Sequence, residues 1–205
     1  MTVGFAELVA RIADDSRDRE RFVFGLAGPP GCGKSTLAGR VAAAVGGVVV
    51  PMDGFHLDNA ELDRLDLRGV KGAPETFDAG GFVRLVDQLH HTDGPVGAPS
   101  FDRIADRTID GAITVEADDR IVIVEGNYLL LDSAPWGDLQ DLFDLTGYID
   151  VDPDARVARL VARHVRHGRS PDEAREFVLR SDEANAAIIT RTRRRADLLI
   201  DPSRP

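Results

Sequence analysis

The feature that most restricts this chain lies between residues 21 and 45. An apolar run, RFVFGLAG, ends at Gly28 and is followed by Pro29, Pro30, Gly31, Cys32 and Gly33. Lys34, Ser35 and Thr36 then open a helix-like segment, KSTLAGRVAAAV. Glycines let a loop turn back so that its N–H groups point inward at phosphate oxygens. The start of a helix adds partial positive charge at the same place. Gly28–Ser35 fits G-x-x-x-x-G-K-[ST], the Walker A or P-loop pattern, with the strand before and the helix after that the pattern requires. Residues 28–36 are therefore expected to cradle a nucleoside triphosphate. Lys34 is expected to reach its β- and γ-phosphates and Ser35 to ligate Mg²⁺, with Thr36 supporting the helix start or a phosphate. Cys32 has two readings, a side chain turned away from the nucleotide or a redox switch, and the second needs a depressed thiol pKa.

Apolar runs recur along the chain in alternation with helical periodicity. GFAELVARIA (4–13) reads as a helix, GVVVPM (47–52) as a strand and 53–77 as loop plus short helix. Asp78 caps a helix to about Leu89, and VGAPSFD (96–102) reads as a strand. AITVEADDRIVIVEG (112–126) reads as two strands around a turn at 117–119, and LTGYIDVD (145–152) as another strand. Asp152-Pro153 opens a helix to about His167. Ser170-Pro171-Asp172-Glu173 is a capping box that starts a long helix, and ADLLID (196–201) closes the chain as a strand. Continuous apolar strands alternating with helices predict an α/β fold, a parallel sheet of the five-stranded type covered on both faces. No repeat or linker divides the 205 residues, so one P-loop domain over 1–205 is expected, with a small lid at about 163–180. The segments 53–77 and 163–180 read as functional insertions on one edge of the sheet.

Charge narrows the partners. The formal net charge is −10 and the isoelectric point about 4.9, while Arg is concentrated between residues 156 and 195. A nucleic-acid polymer or an anionic membrane needs a broad basic face. A local basic segment in an acidic chain suits a small anion instead. No apolar run approaches the ~20 residues that span a bilayer, and a single cysteine excludes an intrachain disulfide. A soluble cytoplasmic protein is the expectation.

Three elements bear on what the triphosphate is used for. Asp53 follows the second apolar strand, where open α/β sheets bind ligands. It can take a proton from an attacking hydroxyl, or it can serve as a turn residue before Gly54. Glu125 ends the strand IVIVEG as a Walker B acid would, there to bind Mg²⁺ through water or to orient substrate. Arg159, Arg163 and Arg166 share a helical face, and Arg169 follows. They suit stabilisation of a transferring phosphoryl group, or they form a solvated basic face.

MDGFH (52–56), KGAPETFD (71–78), GAPSFD (97–102), IVIVEGNYLLL (121–131) and TRTRRRADLLI (190–200) carry a resemblance. The chain resembles the P-loop kinase family that includes uridine kinase, bacterial pantothenate kinase and phosphoribulokinase. Within it the chain resembles the bacterial proteins called nucleoside/nucleotide kinase family proteins or "putative fructose transport system kinases". The resemblance implies that Asp53 is the catalytic base and that Glu125 lies near the metal. It implies that Arg163, Arg166 and Arg169 belong to the lid and that residues 193–196, Arg193 first, border the adenine. His56 and Lys71 are implied to lie toward the acceptor. Uridine kinases carry Tyr-Asp followed by His where this chain has Phe101, Asp102 and Asp106, and pantothenate kinases place Tyr and His at Phe101 and Arg103.

The expectation is an ATP-dependent kinase that transfers the γ-phosphate to a hydroxyl of a small, sugar-like acceptor, a fructose-type sugar in the first instance. Phe101, Asp102 and Arg103 are then expected in the acceptor pocket, and ATP and Mg²⁺ as cofactors. Pantothenate or a nucleoside such as uridine is the alternative acceptor. A regulatory ATPase or switch is the alternative class, although the N-K-x-D motif of GTPases is absent; a binding protein with a decayed site is a third. Homodimers are common among such relatives, and no residue pattern here marks a dimer surface.

Overall fold

The strand before the glycine-rich loop, Phe22–Ala27, is buried along its whole length, as an apolar run covered on both faces must be. Its side chains alternate between two cores. Phe22, Phe24 and Leu26 face one, while Val23 and Ala27 face the other. The computed structural model describes Met1–Pro205. In chain order its elements are β1 (Thr2–Val3), α1 (Phe5–Asp15), β2 (Phe22–Ala27), α2 (Lys34–Val45), β3 (Val48–Pro51) and α3 (Asn59–Arg64). There follow α4 (Ala79–His91), β4 (Val96–Asp102), β5 (Arg107–Val115), β6 (Ile121–Gly126) and β7 (Leu145–Ile149). The chain ends with α5 (Pro153–Arg166), α6 (Pro171–Phe177), α7 (Glu183–Arg191) and β8 (Leu198–Ile200).

Six strands form one parallel sheet in the order β1-β8-β7-β2-β6-β3. The five expected core strands are all there, and β1 adds a two-residue edge too short to carry a periodic signal. One face packs on α1 and α2 through Leu8, Ile12, Leu37 and Val41. The other packs on α4 and the aromatic cluster of Phe77, Phe82, Tyr128 and Trp136. Helix starts follow the sequence signals. Asp78 accepts the N–H of Gly81, Asp152 that of Ala155, and Ser170 and Glu173 form a reciprocal capping box.

Several boundaries differ from expectation. β5 begins at Arg107 because it pairs antiparallel with β4 in a separate two-stranded hairpin, and its polar, exposed start lacks apolar alternation. β7 ends at Ile149, where pairing with β8 ends. The helix from Ser170 is broken by a π-helical turn, Val178–Asp182, between α6 and α7. Such turns leave no sequence signature and gather at functional sites. A 3₁₀ segment, Trp136–Leu142, was not legible at all. The segments 53–77 and 163–180 lie beyond the carboxyl ends of the strands, where residues of both line one cavity.

Candidate functional site

The cavity has a volume of about 420 Å³ and a mainly polar lining, with three hydrophobic side chains among its 22 lining residues. Its floor is the glycine-rich loop. Gly31 has φ +78°, and a Cβ there would lie 2.7 Å from Leu160 Cγ on α5, so glycine alone lets the loop pack against that helix. Lys34 Nζ turns back over the loop and donates to the carbonyls of Gly28 (2.9 Å) and Pro29 (3.3 Å). It also donates to Asn127 Oδ1 at 2.6 Å. Asn127, in the turn after β6, is a site residue that the sequence reading passed over, though it stands two places beyond Glu125. Ser35 Oγ donates to Glu125 Oε1 at 2.8 Å. Burial pushes the Glu125 carboxyl up, and Lys34 works against that shift.

Pairing of β3 beside β6 brings Asp53 into the same cavity, on the turn that leaves β3. That turn touches the β4–β5 hairpin so closely that a Cβ on Gly54 would lie 2.2 Å from the Pro99 carbonyl oxygen. Thr108 Oγ1 fastens the two pieces, donating to the carbonyls of Gly54 and His56 at 3.2 Å each. From the hairpin turn Arg103 reaches back and donates to Asp53 Oδ2. The His56 ring stacks on Phe77, with centroids 4.0 Å apart, and its buried Nδ1 has no partner. Burial, aided by Lys71 and Arg103 and opposed by Asp53, lowers the His56 pKa to about 4, so this imidazole is neutral near pH 7. Lys71 Nζ donates to Asn59 Oδ1 (2.8 Å) and pairs with Asp106 (2.7 Å).

Helix α5 lines the opposite wall with Arg159, Arg163 and Arg166, and none of the three has a carboxylate partner. Burial holds the Arg163 guanidinium below its usual pKa, and Arg103 across the cavity adds to that. The π turn and α7 supply Ser181, Asp182 and Asn185. A buried guanidinium ties this wall to the loop: Arg156 donates to Glu183 at 2.5 Å and to the Pro30 carbonyl at 3.2 Å. Gly72, next to Lys71, is held through its carbonyl by Tyr128 (2.5 Å) and Asn185 (3.2 Å).

The cavity thus brings together Pro30, Gly31, Gly33, Lys34, Ser35, Thr36, Asp53, His56, Lys71, Arg103, Glu125, Arg163 and Arg166. Of the other expected residues, Gly28, Pro29 and Cys32 belong to the loop without lining the cavity, and four lie elsewhere. Arg169 is turned outward, its guanidinium 3.9 Å from the centre of the Phe177 ring, because Gly168 takes φ +97° and ends α5. Asp102 faces its own turn and accepts the N–H groups of Ala105 and Ile104, which hold its carboxyl below the usual range. Phe101 packs beneath the site against His56, with centroids 4.9 Å apart. Arg193 pairs with Asp150 at 2.5 Å. Asp150 lines a second hollow on the outer side of the loop, which Thr36, Arg40 and Asp201–Ser203 also line. The last three follow the closing strand, a position the sequence reading did not single out. The Cys32 thiol is buried within 2.7 Å of where a Gly28 Cβ would stand, and burial raises its pKa, the opposite of the depressed thiol pKa that a redox switch needs.

The model of the family described as "Phosphoribulokinase / Uridine kinase family" matches residues 23–204. A Schizosaccharomyces pombe protein named "Putative uridine kinase" is 39% identical over 215 residues, covering 98% of this chain and 91% of its own. The crystal structure of a "putative fructose transport system kinase" from Silicibacter sp. TM1040 superposes with a TM-score of 0.89 at 42% identity, covering 95% of this chain and 98% of that one. A pantothenate kinase from Limosilactobacillus reuteri is 30% identical over 154 residues, 71% of this chain and half of its own length.

Proposed function

The chain belongs to the phosphoribulokinase/uridine kinase family and is an ATP-dependent kinase with a hydroxyl acceptor; from that premise we propose that its acceptor is a small polyhydroxylated molecule of the fructose type. The observation that carries this is the acceptor end of the cavity. Asp53, His56, Lys71, Arg103, Asp182 and Asn185 present charged and polar groups there, with Phe77 and Phe177 as its apolar members. Each unmatched buried polar group costs binding, so such a lining favours a ligand with many hydroxyls. The name carried by the Silicibacter structure agrees with this reading.

In the proposed mechanism the loop amides and Lys34 hold the β- and γ-phosphates. To do so Lys34 exchanges the carbonyls of Gly28 and Pro29 for phosphate oxygens. Asp53 accepts the proton of the acceptor hydroxyl as its oxygen attacks the γ-phosphorus. The bond from that phosphorus to the β–γ bridging oxygen breaks, and ADP leaves. Arg163 and Arg166, free of carboxylate partners, face the charge spread over the transferring group. The helical segment 163–180 is assigned as a lid whose closure excludes water, the competing acceptor.

The donor set also fits Mg²⁺. A buried carboxylate, Glu125, is held by one hydroxyl, Ser35, with no cation paired to it, an oxygen pair that suits a hard ion which keeps part of its water shell. Ser35 would bind the ion directly and Glu125 through water. The bound ion would offset negative charge on the phosphates. The positive charge of Lys34, which Asn127 holds, favours the ionised form of Glu125 that such a site needs.

The test is ADP release from Mg·ATP with fructose and other sugars, sugar alcohols and acids, pantothenate, uridine and cytidine. A large increase with one sugar or polyol is the expected result. An increase confined to pantothenate or a nucleoside overturns the acceptor assignment.

A further inference from the structure

The guanidinium of Arg103 occupies Asp53 Oδ2, one of the two oxygens that could receive the acceptor's proton. It comes from a turn whose other charge is also engaged. Asp106, at φ +51°, holds Lys71 and accepts from Asn59 Nδ2 at 2.8 Å. One turn of the β4–β5 hairpin therefore neutralises both a carboxylate and an ammonium of the acceptor end. The turn end of the hairpin is fastened by Thr108 and the turn itself is stiffened by Asp102. Only the Arg103 side chain has to move for Asp53 to be released. That side chain is 57% exposed and Asp53 28%, and an ion pair so accessible to water adds little to stability. A ligand that offers the guanidinium another oxygen can displace it.

We propose that Arg103 guards the catalytic base, keeping Asp53 occupied until an acceptor arrives and so suppressing transfer of the γ-phosphate to water. This rests on the assignment of Asp53 as the base. In the suppressed reaction a water oxygen would bond to the γ-phosphorus, the bond to the bridging oxygen would break to give ADP and inorganic phosphate, and the water proton would pass to Asp53. With Oδ2 taken by Arg103, only Oδ1 is left to accept that proton, and the guanidinium stands where the attacking water would approach the other oxygen. When a polyhydroxylated acceptor enters, one of its oxygens accepts the guanidinium, and its reacting hydroxyl takes the freed place at Asp53. Arg103, with several donors in a planar fork, is suited to such an exchange. The arrangement couples selectivity to chemistry, because an acceptor without an oxygen for Arg103 leaves the base engaged.

The experiment is acceptor-free ADP release from Mg·ATP in the full chain, compared for wild type, Arg103→Gln, Arg103→Lys, Asp53→Asn and the Arg103→Gln/Asp53→Asn double variant. Nucleotide affinity, measured alongside, reports that each variant folds with its loop intact. Arg103→Gln is expected to raise the acceptor-free rate about tenfold, a fraction of what a free general base contributes. Arg103→Lys, which keeps a cation beside Asp53 without the fork, is expected to raise the rate less than Arg103→Gln, and the double variant to lose the increase. An unchanged or lower rate in Arg103→Gln overturns the guard. An increase that persists in the double variant overturns the assignment of Asp53 as base, and the guard with it.

Discussion

At one end of the cavity a single run of sequence, Gly28–Ser35, supplies nearly everything a triphosphate needs, and it does so with backbone and one lysine. At the other end Asp53, His56, Lys71, Arg103, Asp182 and Asn185 arrive from separate segments and act through side chains. The difference lies in what fixes each end. The loop's shape follows from local φ angles, such as +78° at Gly31 and +97° at Gly33. The acceptor end is fixed by ion pairs and hydrogen bonds between distant segments, Lys71 to Asp106 and Asn185 to Gly72 among them. A local device can be recognised in any chain that carries it. A dispersed one can change its ligand through one side chain while the fold stays as it is.

The sharpest way to break this contrast is to remove the one side chain on which the local end depends. Lys34→Ala is expected to lower phosphoryl transfer about 10³-fold, in the range for losing a preorganised cation on a transferring phosphoryl group. The fold should be undisturbed, since the Lys34 partners are loop carbonyls and Asn127. Steady-state turnover and circular dichroism together check it, and full activity would contradict the role given to the loop. The next largest effect belongs to the dispersed end. Asp53→Asn is expected to cost about 10²-fold or more in turnover while nucleotide affinity stays nearly the same. If nucleotide binding fell as far as turnover, the two ends would be one functional unit and the contrast would fail.

The same contrast explains what could be read before any coordinates. The loop, the order of strands and helices and the caps at Asp78, Asp152 and Ser170 were legible because each is written in adjacent residues. Asp53 and Glu125 were singled out because one follows and the other ends an apolar strand, where sheets of this kind bind ligands, and the structure brings both to the one cavity. The orientation of Arg169 was not legible, since it follows the expected helix end, only the resemblance placed it in the lid with Arg163 and Arg166, and nothing in the sequence says which way the chain leaves Gly168. Asp102 and Arg103 are neighbours in sequence with opposite fates, one capping its own turn and one crossing to Asp53. Only the closure of the β4–β5 hairpin over the Asp53 turn decides between them. The link from Arg156 to Pro30 and Glu183 spans elements far apart in sequence, so no local pattern could announce it.

A smaller effect should appear in stability rather than in rate. His56 is lowered to about 4 in the folded chain, against an ordinary value of 6.5. Between those values the unfolded chain binds a proton that the folded chain refuses. The His56 contribution is therefore complete above pH 6.5 and drains away as the pH falls toward 4. Asp53 and Asp106 favour the charged ring while Lys71 and Arg103 oppose it, and burial outweighs them all. Melting temperature is expected to fall more steeply between pH 7 and 5 in wild type than in His56→Phe, by on the order of 5 °C. Equal slopes would mean that the ring titrates normally, with water reaching the unpartnered Nδ1.

The smallest expected effect tests the boundary of the site. Arg169 lies three residues after Arg166, yet its guanidinium rests on Phe177 outside the cavity, whereas Arg163 and Arg166 line it. Arg169→Gln should therefore change turnover by no more than about twofold, as surface substitutions away from a site do. Phe177 itself lines the cavity, so the arginine touches the site only through the back of that ring. A drop near that of Asp53→Asn would mean that the segment after Gly168 turns inward during the reaction and carries Arg169 to the phosphates. The arginine wall would then be completed by motion of the chain, and that end of the cavity would depend on a closed state in the way the acceptor end depends on the Arg103 side chain.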